Sequence, residues 1–323
     1  MRWGSILTGT ILCTRLCFPQ PSTDLTTQVD PRPEEDILNP CQYSLALPEL
    51  HQPVRAVWVI FDRGLDYTEF YRSRQVRAFA GAHKLAMVLA LHCRSRERED
   101  MDVDPAHGIG RALFTALDQF ADRTAKPELR SAPLVAMGWS GAGSLVGRLA
   151  GFRPGRFLSG ILYAPGQYEP LGMDTVELGP DAIRKPQLII AGGADNHAGT
   201  ERPYRYFRKY FDRGAPWTFV IQSRTPHCCL QNAQGLILEW LNDALAAPPA
   251  RVRSGRFGYL TIQETDIAVW KDHTFNATAA RVSEAACQPR PKEVCAGWLP
   301  SRTFAGDWLR FVLRPTPIAT WAP

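Results

Sequence analysis

Gly138-Trp139-Ser140-Gly141-Ala142-Gly143 sets one serine among small residues, and Asp195 and His227 follow it in chain order. A serine hydroxyl is a poor nucleophile until a base takes its proton. An imidazole does that work best when a carboxylate holds its tautomer and orientation. His227, in Thr225-Pro226-His227, reads as the base, and Asp195, in Gly192-Gly193-Ala194-Asp195, as the orienting acid. The chemistry of such a set is acyl transfer: attack on a carbonyl, a covalent acyl-enzyme, release by water. It needs no cofactor.

Other histidines and carboxylates fit less well. His197 lies two residues from Asp195 with no intervening strand, and His273 follows the last core helix. His51, His83, His92 and His107 precede the serine. Asp174 and Glu169 stand as weaker alternatives for the acid, and Asp212 reads as a solvated charge on a helix.

These three residues must be held by something rigid. Apolar runs at 56–61, 85–91, 134–137, 157–162, 187–191 and 217–221 read as buried strands. Stretches of helical spacing separate them: around 70–80, from Ile109 to Phe120, from Leu145 to Leu149, from Tyr204 to Arg213, and from Ala233 to Leu245. Near-continuous apolar strands alternating with amphipathic helices predict an α/β fold, a doubly wound and mostly parallel sheet covered on both faces. Ser140 then falls in a sharp turn between a strand and a helix. Asp195 and His227 fall just past the carboxyl ends of the next-to-last and last core strands, where sites form in such sheets.

At this point the chain resembles the α/β-hydrolase superfamily over residues 55–245. Strand, turn and helix around Ser140 resemble the G-x-S-x-G nucleophile elbow, with Ala142 in place of its last glycine. The order serine, acid, histidine is the order of that fold. Within the superfamily the chain looks like esterase and polyester-depolymerase-type members. The resemblance implies nucleophile, acid and base roles for Ser140, Asp195 and His227. It also implies an oxyanion hole with one donor from the backbone N–H of Gly141 and a second from the loop after the first buried strand. Arg63 is the residue chosen there, with Gly64 beside it; the usual His-Gly of that loop is absent.

The connection from Tyr163 to Lys185 is about two dozen residues, short for a folded cap. An open cleft follows as the expectation, with Trp139, Tyr163 and Tyr168 as apolar walls and a small-molecule or oligomeric ester as substrate. A peptidase or acyltransferase of the same fold, or a hydrolase-like binding protein without activity, are the competing readings.

The rest of the chain narrows the setting. Net charge is +5 with no long basic block, so nucleic acid is not an expected partner. Asp100-Met101-Asp102-Val103-Asp104 opens like a calcium loop, but Pro105 stands where glycine is required and Arg111 where the bidentate Glu belongs, so no metal is expected. Residues 1–21 read as a signal segment and 22–40 as a flexible leader; 41–247 read as the catalytic domain and 248–323 as an extension packing on it. No stretch is long enough for an integral membrane span. A secreted or periplasmic location follows from the signal segment. Six of the eight cysteines lie beyond Cys17, an even number that permits disulfides or buried thiols alike. Cys287 and Cys295 flank a loop that a bridge would close.

Overall fold

The computed structural model describes residues 24–48, 52–61, 65–91, 93, 104–166, 173–246, 256–262, 274–285 and 287–314. The signal segment therefore lies outside the described residues, as does the acidic run 100–103.

The core strands are β3 (Ala56–Phe61), β4 (Leu85–Leu91), β5 (Leu134–Trp139), β6 (Phe157–Tyr163), β7 (Gln187–Gly192) and β8 (Trp217–Gln222). Every residue of β3, β7 and β8 is buried, as expected of strands covered on both faces. β3 pairs with β4 and β5, and β5 through β8 follow one another, all parallel. Between them run α1 (Leu65–Arg72), α2 (Arg74–Ala82), α3 (Ile109–Thr124), α4 (Gly141–Phe152), the short α5 (Pro180–Ile183) and α6 (Glu201–Phe211), and α7 (Gln234–Ala246) follows β8. The helical spacing around 70–80 resolves into two helices rather than one, broken at Ser73.

Two antiparallel strands precede this core, β1 (Leu25–Val29) and β2 (Cys41–Ala46), with β2 antiparallel to β4. The segment 22–40, expected to be a flexible leader, is thus corrected from Asp24 onward. Asp24 pairs with Arg77, and Glu35 forms a bidentate pair with Arg111. Asp36 N–H donates to the His107 carbonyl. Its prolines and polar residues mask these ties in sequence, because the partners lie on α2, on α3 and in the turn just before α3.

Beyond β8 the sheet continues. β9 (Arg256–Ile262), β10 (Ala277–Ser283) and β11 (Glu293–Leu299) extend it antiparallel, giving the order β1-β2-β4-β3-β5-β6-β7-β8-β11-β9-β10. α8 (Arg302–Leu313) packs on this end, capped by Ser301 Oγ accepting from Phe304 N–H at 3.0 Å. Trp308 of α8 is fully buried and its indole N–H donates to the Phe219 carbonyl of β8 at 3.1 Å. The strands β9–β11 of the expected extension are therefore sewn into the core sheet, edge to edge, and not only packed on it. Gly297 makes the join possible: its φ is +86°, and a Cβ there would sit 2.2 Å from the Trp217 carbonyl.

Candidate active site

β5 ends at Trp139 and α4 begins at Gly141, so Ser140 occupies the single residue between them. Its φ of 54° and ψ of −125° lie in a region that side chains other than glycine avoid, at a cost of about 1–3 kcal/mol. The surroundings hold it there. Ser140 N–H donates to the Tyr163 carbonyl at 3.1 Å, and the Ser140 carbonyl accepts from Ser144 and Gly166, each at 3.2 Å. The small neighbours are sterically required: a Cβ on Gly138 would lie 2.4 Å from the Ala142 carbonyl, and one on Gly143 would lie 2.8 Å from Pro165. The glycine expected two residues after the serine is replaced by Ala142, fully buried, and the close approach falls one residue later, at Gly143.

Asp195 is fully buried in the turn after β7. One carboxylate oxygen, Oδ1, accepts the backbone N–H groups of His197 and Ala198 at 2.9 and 2.8 Å. The other, Oδ2, lies 2.7 Å from His227 Nδ1. That contact puts the proton of a neutral imidazole on Nδ1 and leaves Nε2 as the acceptor. Nε2 is buried and makes no hydrogen bond among the described residues. The imidazole lies between two rings, Trp139 and His197, each with its centroid 4.7 Å away. Trp139 directly precedes Ser140, so serine, imidazole and carboxylate belong to one neighbourhood at the carboxyl edge of the sheet. The Gly141 N–H, at the first position of α4, has no intrahelical partner by helix geometry and borders the same place.

The remaining expected residues divide. Trp139 is half-buried and stands against both the His227 imidazole and Tyr67, whose ring is 6.4 Å away. Tyr163 is corrected as a wall. Only 2% of it is exposed, and its hydroxyl lies 2.5 Å from Gln222 Oε1 and 2.7 Å from the Cys228 carbonyl, with one proton to donate between them. It fastens the loop that carries His227. Arg63, Gly64, Tyr168 and Glu169 lie outside the described residues, and Asp174 sits in a short 3-10 turn, Met173–Thr175. Among the described residues no three His, Cys, Asp or Glu side chains gather as a metal site would require, and no helix is long and apolar enough to cross a membrane.

Two features escaped the sequence reading. Cys228 and Cys229, next to His227, form a disulfide between neighbours, with Cys229 at φ 79°. Cys41 pairs with Cys93, and the bridge between Cys287 and Cys295 closes the loop that the sequence had left open to one. The second is Asn276, just before β10, whose amide reaches both the acid turn and the base loop. Sequence carries no signal for it, because its partners are a backbone carbonyl and a backbone N–H more than fifty residues away.

No protein-family model and no curated protein sequence matches the chain. Solved structures do. A ferulic acid esterase aligns with a TM-score of 0.50 at 11% identity, covering 69% of this chain and 98% of its own. A Xanthomonas campestris protein, described as an α/β serine hydrolase without a lid, aligns with a TM-score of 0.44 at 20% identity, covering 71% and 99%. An acylaminoacyl peptidase aligns with a TM-score of 0.49 at 13% identity, covering 68% and 41%. At such identities the likeness is one of fold. The chain has the α/β-hydrolase fold, with a mostly parallel central sheet, as the sequence led one to expect.

Proposed function

We propose that this chain is a serine hydrolase that cleaves carboxylic esters through an acyl-enzyme. One observation carries the reading: a buried Asp195 carboxylate sits 2.7 Å from His227 Nδ1, and the ring of Trp139, the residue before the strained Ser140, lies 4.7 Å from that imidazole. In the proposed reaction His227 Nε2 takes the Ser140 proton as Oγ attacks the ester carbonyl. The carboxylate stabilises the imidazolium that forms. The Gly141 N–H is one donor to the developing oxyanion, and the loop after β3, at Arg63, supplies the second. His227 then passes its proton to the leaving alkoxide; water, deprotonated by the same nitrogen, attacks the acyl-enzyme, and that proton returns to Ser140 Oγ as the acid leaves.

The short Tyr163–Lys185 connection supports an open cleft, since among its described residues the α-helix, α5, has only four residues. An open cleft takes bulky or oligomeric esters, with Trp139 as a wall. The ferulic acid esterase of similar fold acts on an ester of that bulk by its name, which fits this reading. The three disulfides support a further part of the proposal, that the chain is exported and works in an oxidising compartment.

The test is a panel of p-nitrophenyl esters of graded acyl length, soluble polyester oligomers and peptide p-nitroanilides. Turnover of the esters, with specificity constants within about a hundredfold of one another across acyl length, is the expected result. Peptide anilides cleaved faster than any ester would replace this proposal with a peptidase of the same fold.

A further inference from the structure

The segment just before β10 comes from the C-terminal part of the chain, yet it touches the two loops that carry Asp195 and His227. Asn276 Nδ2 donates to the Gly193 carbonyl at 2.8 Å, two residues before Asp195. Arg224 N–H donates to Asn276 Oδ1 at 2.8 Å, three residues before His227. One side-chain amide thus bridges the acid turn and the base loop, its donor and acceptor each matched to a backbone group of opposite kind. The loops also meet directly: Gly193 N–H donates to the Gln222 carbonyl and Ala194 N–H to the Thr225 carbonyl, each at 2.9 Å.

The amide is built into place. A Cβ on Gly193 would lie 2.0 Å from Asn276 Oδ1, so only glycine at 193 admits it. Its neighbour Phe275 is buried, packs edge-on against Tyr204 with centroids 5.8 Å apart, and donates its backbone N–H to Thr200 Oγ1 at 3.2 Å. Thr200 Oγ1 in turn donates to the Gly192 carbonyl at 2.9 Å. The end of β7, the acid turn and residues 275–276 therefore form one hydrogen-bonded unit.

We infer that Asn276 is a positioning residue for the reaction: it sets the spacing of the Gly193 and Arg224 backbones and through them the alignment of the Asp195 carboxylate with the His227 imidazole. The inference rests on the serine-hydrolase reading above. It gives the strands β9–β11 a part in catalysis, since they deliver this amide from outside the core sheet. Asn276 touches neither substrate nor the reacting atoms.

The experiment compares the wild-type chain with N276A, G193A and the double variant, each titrated with a fluorophosphonate so that rates are expressed per reactive serine. T278A serves as a control, since among the described residues Thr278 Oγ1 bonds within the β9–β10 pair, to the Thr261 carbonyl. In N276A, kcat per titrated site falls about 10- to 100-fold, the cost of misplacing reacting groups by an ångström or less, while KM for a small ester stays within about twofold. The downfield proton resonance of His227 Nδ1–H broadens, a signature that a loss of stability alone would not move. G193A expels the amide by steric contact and reproduces both effects. The double variant is no slower than either single one, because the two changes remove the same contact. G193A carries the test if N276A does not fold. A wild-type kcat per site and an unchanged resonance in N276A, or losses that multiply in the double variant, would overturn the positioning role and leave the hydrolase reading standing. A wild-type chain that neither reacts with the fluorophosphonate nor turns over any ester overturns the hydrolase reading itself, and this inference with it.

Discussion

At the scale of single residues, the site turns on how Asp195 uses its two oxygens. Oδ1 is occupied by two backbone N–H groups, which fixes the carboxyl plane and leaves Oδ2 to His227. An asparagine at 195 keeps the acceptor on the backbone side and turns an NH2 toward Nδ1. The imidazole must then carry its proton on Nε2, where it cannot accept one from serine. Asp195→Asn is therefore expected to lower kcat by about 10⁴, by analogy with other Ser-His-Asp enzymes, with a circular dichroism spectrum like that of the wild type. A nearly unchanged kcat, paired with a severe loss in Asp174→Asn or Glu169→Gln, would move the acid to the connection after β6. The three residues could be singled out from type and order alone, and two of them, Asp195 and His227, meet at 2.7 Å. Tyr163 was misread, because an aromatic residue at a strand end says nothing about where its hydroxyl goes. Here the Gln222 side chain and the Cys228 carbonyl claim it.

At the scale of elements, the strands that end the sheet depend on charge as well as on backbone pairing. Arg281 of β10 grips Glu293 of β11 across β9 with two hydrogen bonds, of 2.8 and 2.6 Å, and lies over the Tyr259 ring at 3.7 Å. The Arg281 guanidinium, helped by the Arg290 backbone N–H, outweighs burial and holds the Glu293 carboxyl down to about 2. A carboxyl lowered on folding stabilises the fold fully above its unfolded value of about 4.3, and that contribution fades as pH falls toward 2. Glu293→Gln is thus expected to lower Tm at pH 7, with the gap to wild type closing between about pH 5 and pH 2. Parallel melting curves across that range would remove Glu293 from the acid sensitivity of this edge. These same strands show where sequence reading stops. The six core strands announce themselves as near-continuous apolar runs, since both faces are covered. β10, Ala277–Ser283, is small and polar with no alternation, and β11 is interrupted by Gly297. Only the second half of β9 and the apolar face of α8 had a pattern to read. β1 was hidden in the same way, its Thr-Thr-Gln core reading as loop while its register with β2 runs unbroken from Leu25 to Val29.

At the scale of the whole molecule, one sheet carries everything described, from β1 at one edge to β10 at the other. Parallel pairing places the ends of β5, β7 and β8 along one edge, and register matches Trp139 to Tyr163, Tyr163 to Ile190 and Ile190 to Val220. Serine, acid and base therefore emerge on the same side, and the base loop is drawn back over β6 by Tyr163. The proposed reaction makes one demand, that Ser140 be an activated nucleophile and that its activation depend on His227. The most direct measurement is reaction of the folded chain with a fluorophosphonate, followed by intact-mass analysis and peptide mapping. The expected result is a single adduct per chain on the peptide containing Ser140, lost in Ser140→Ala and slowed severely in His227→Ala. A folded wild-type chain left unmodified, or an adduct mapped to any other residue, would contradict the account.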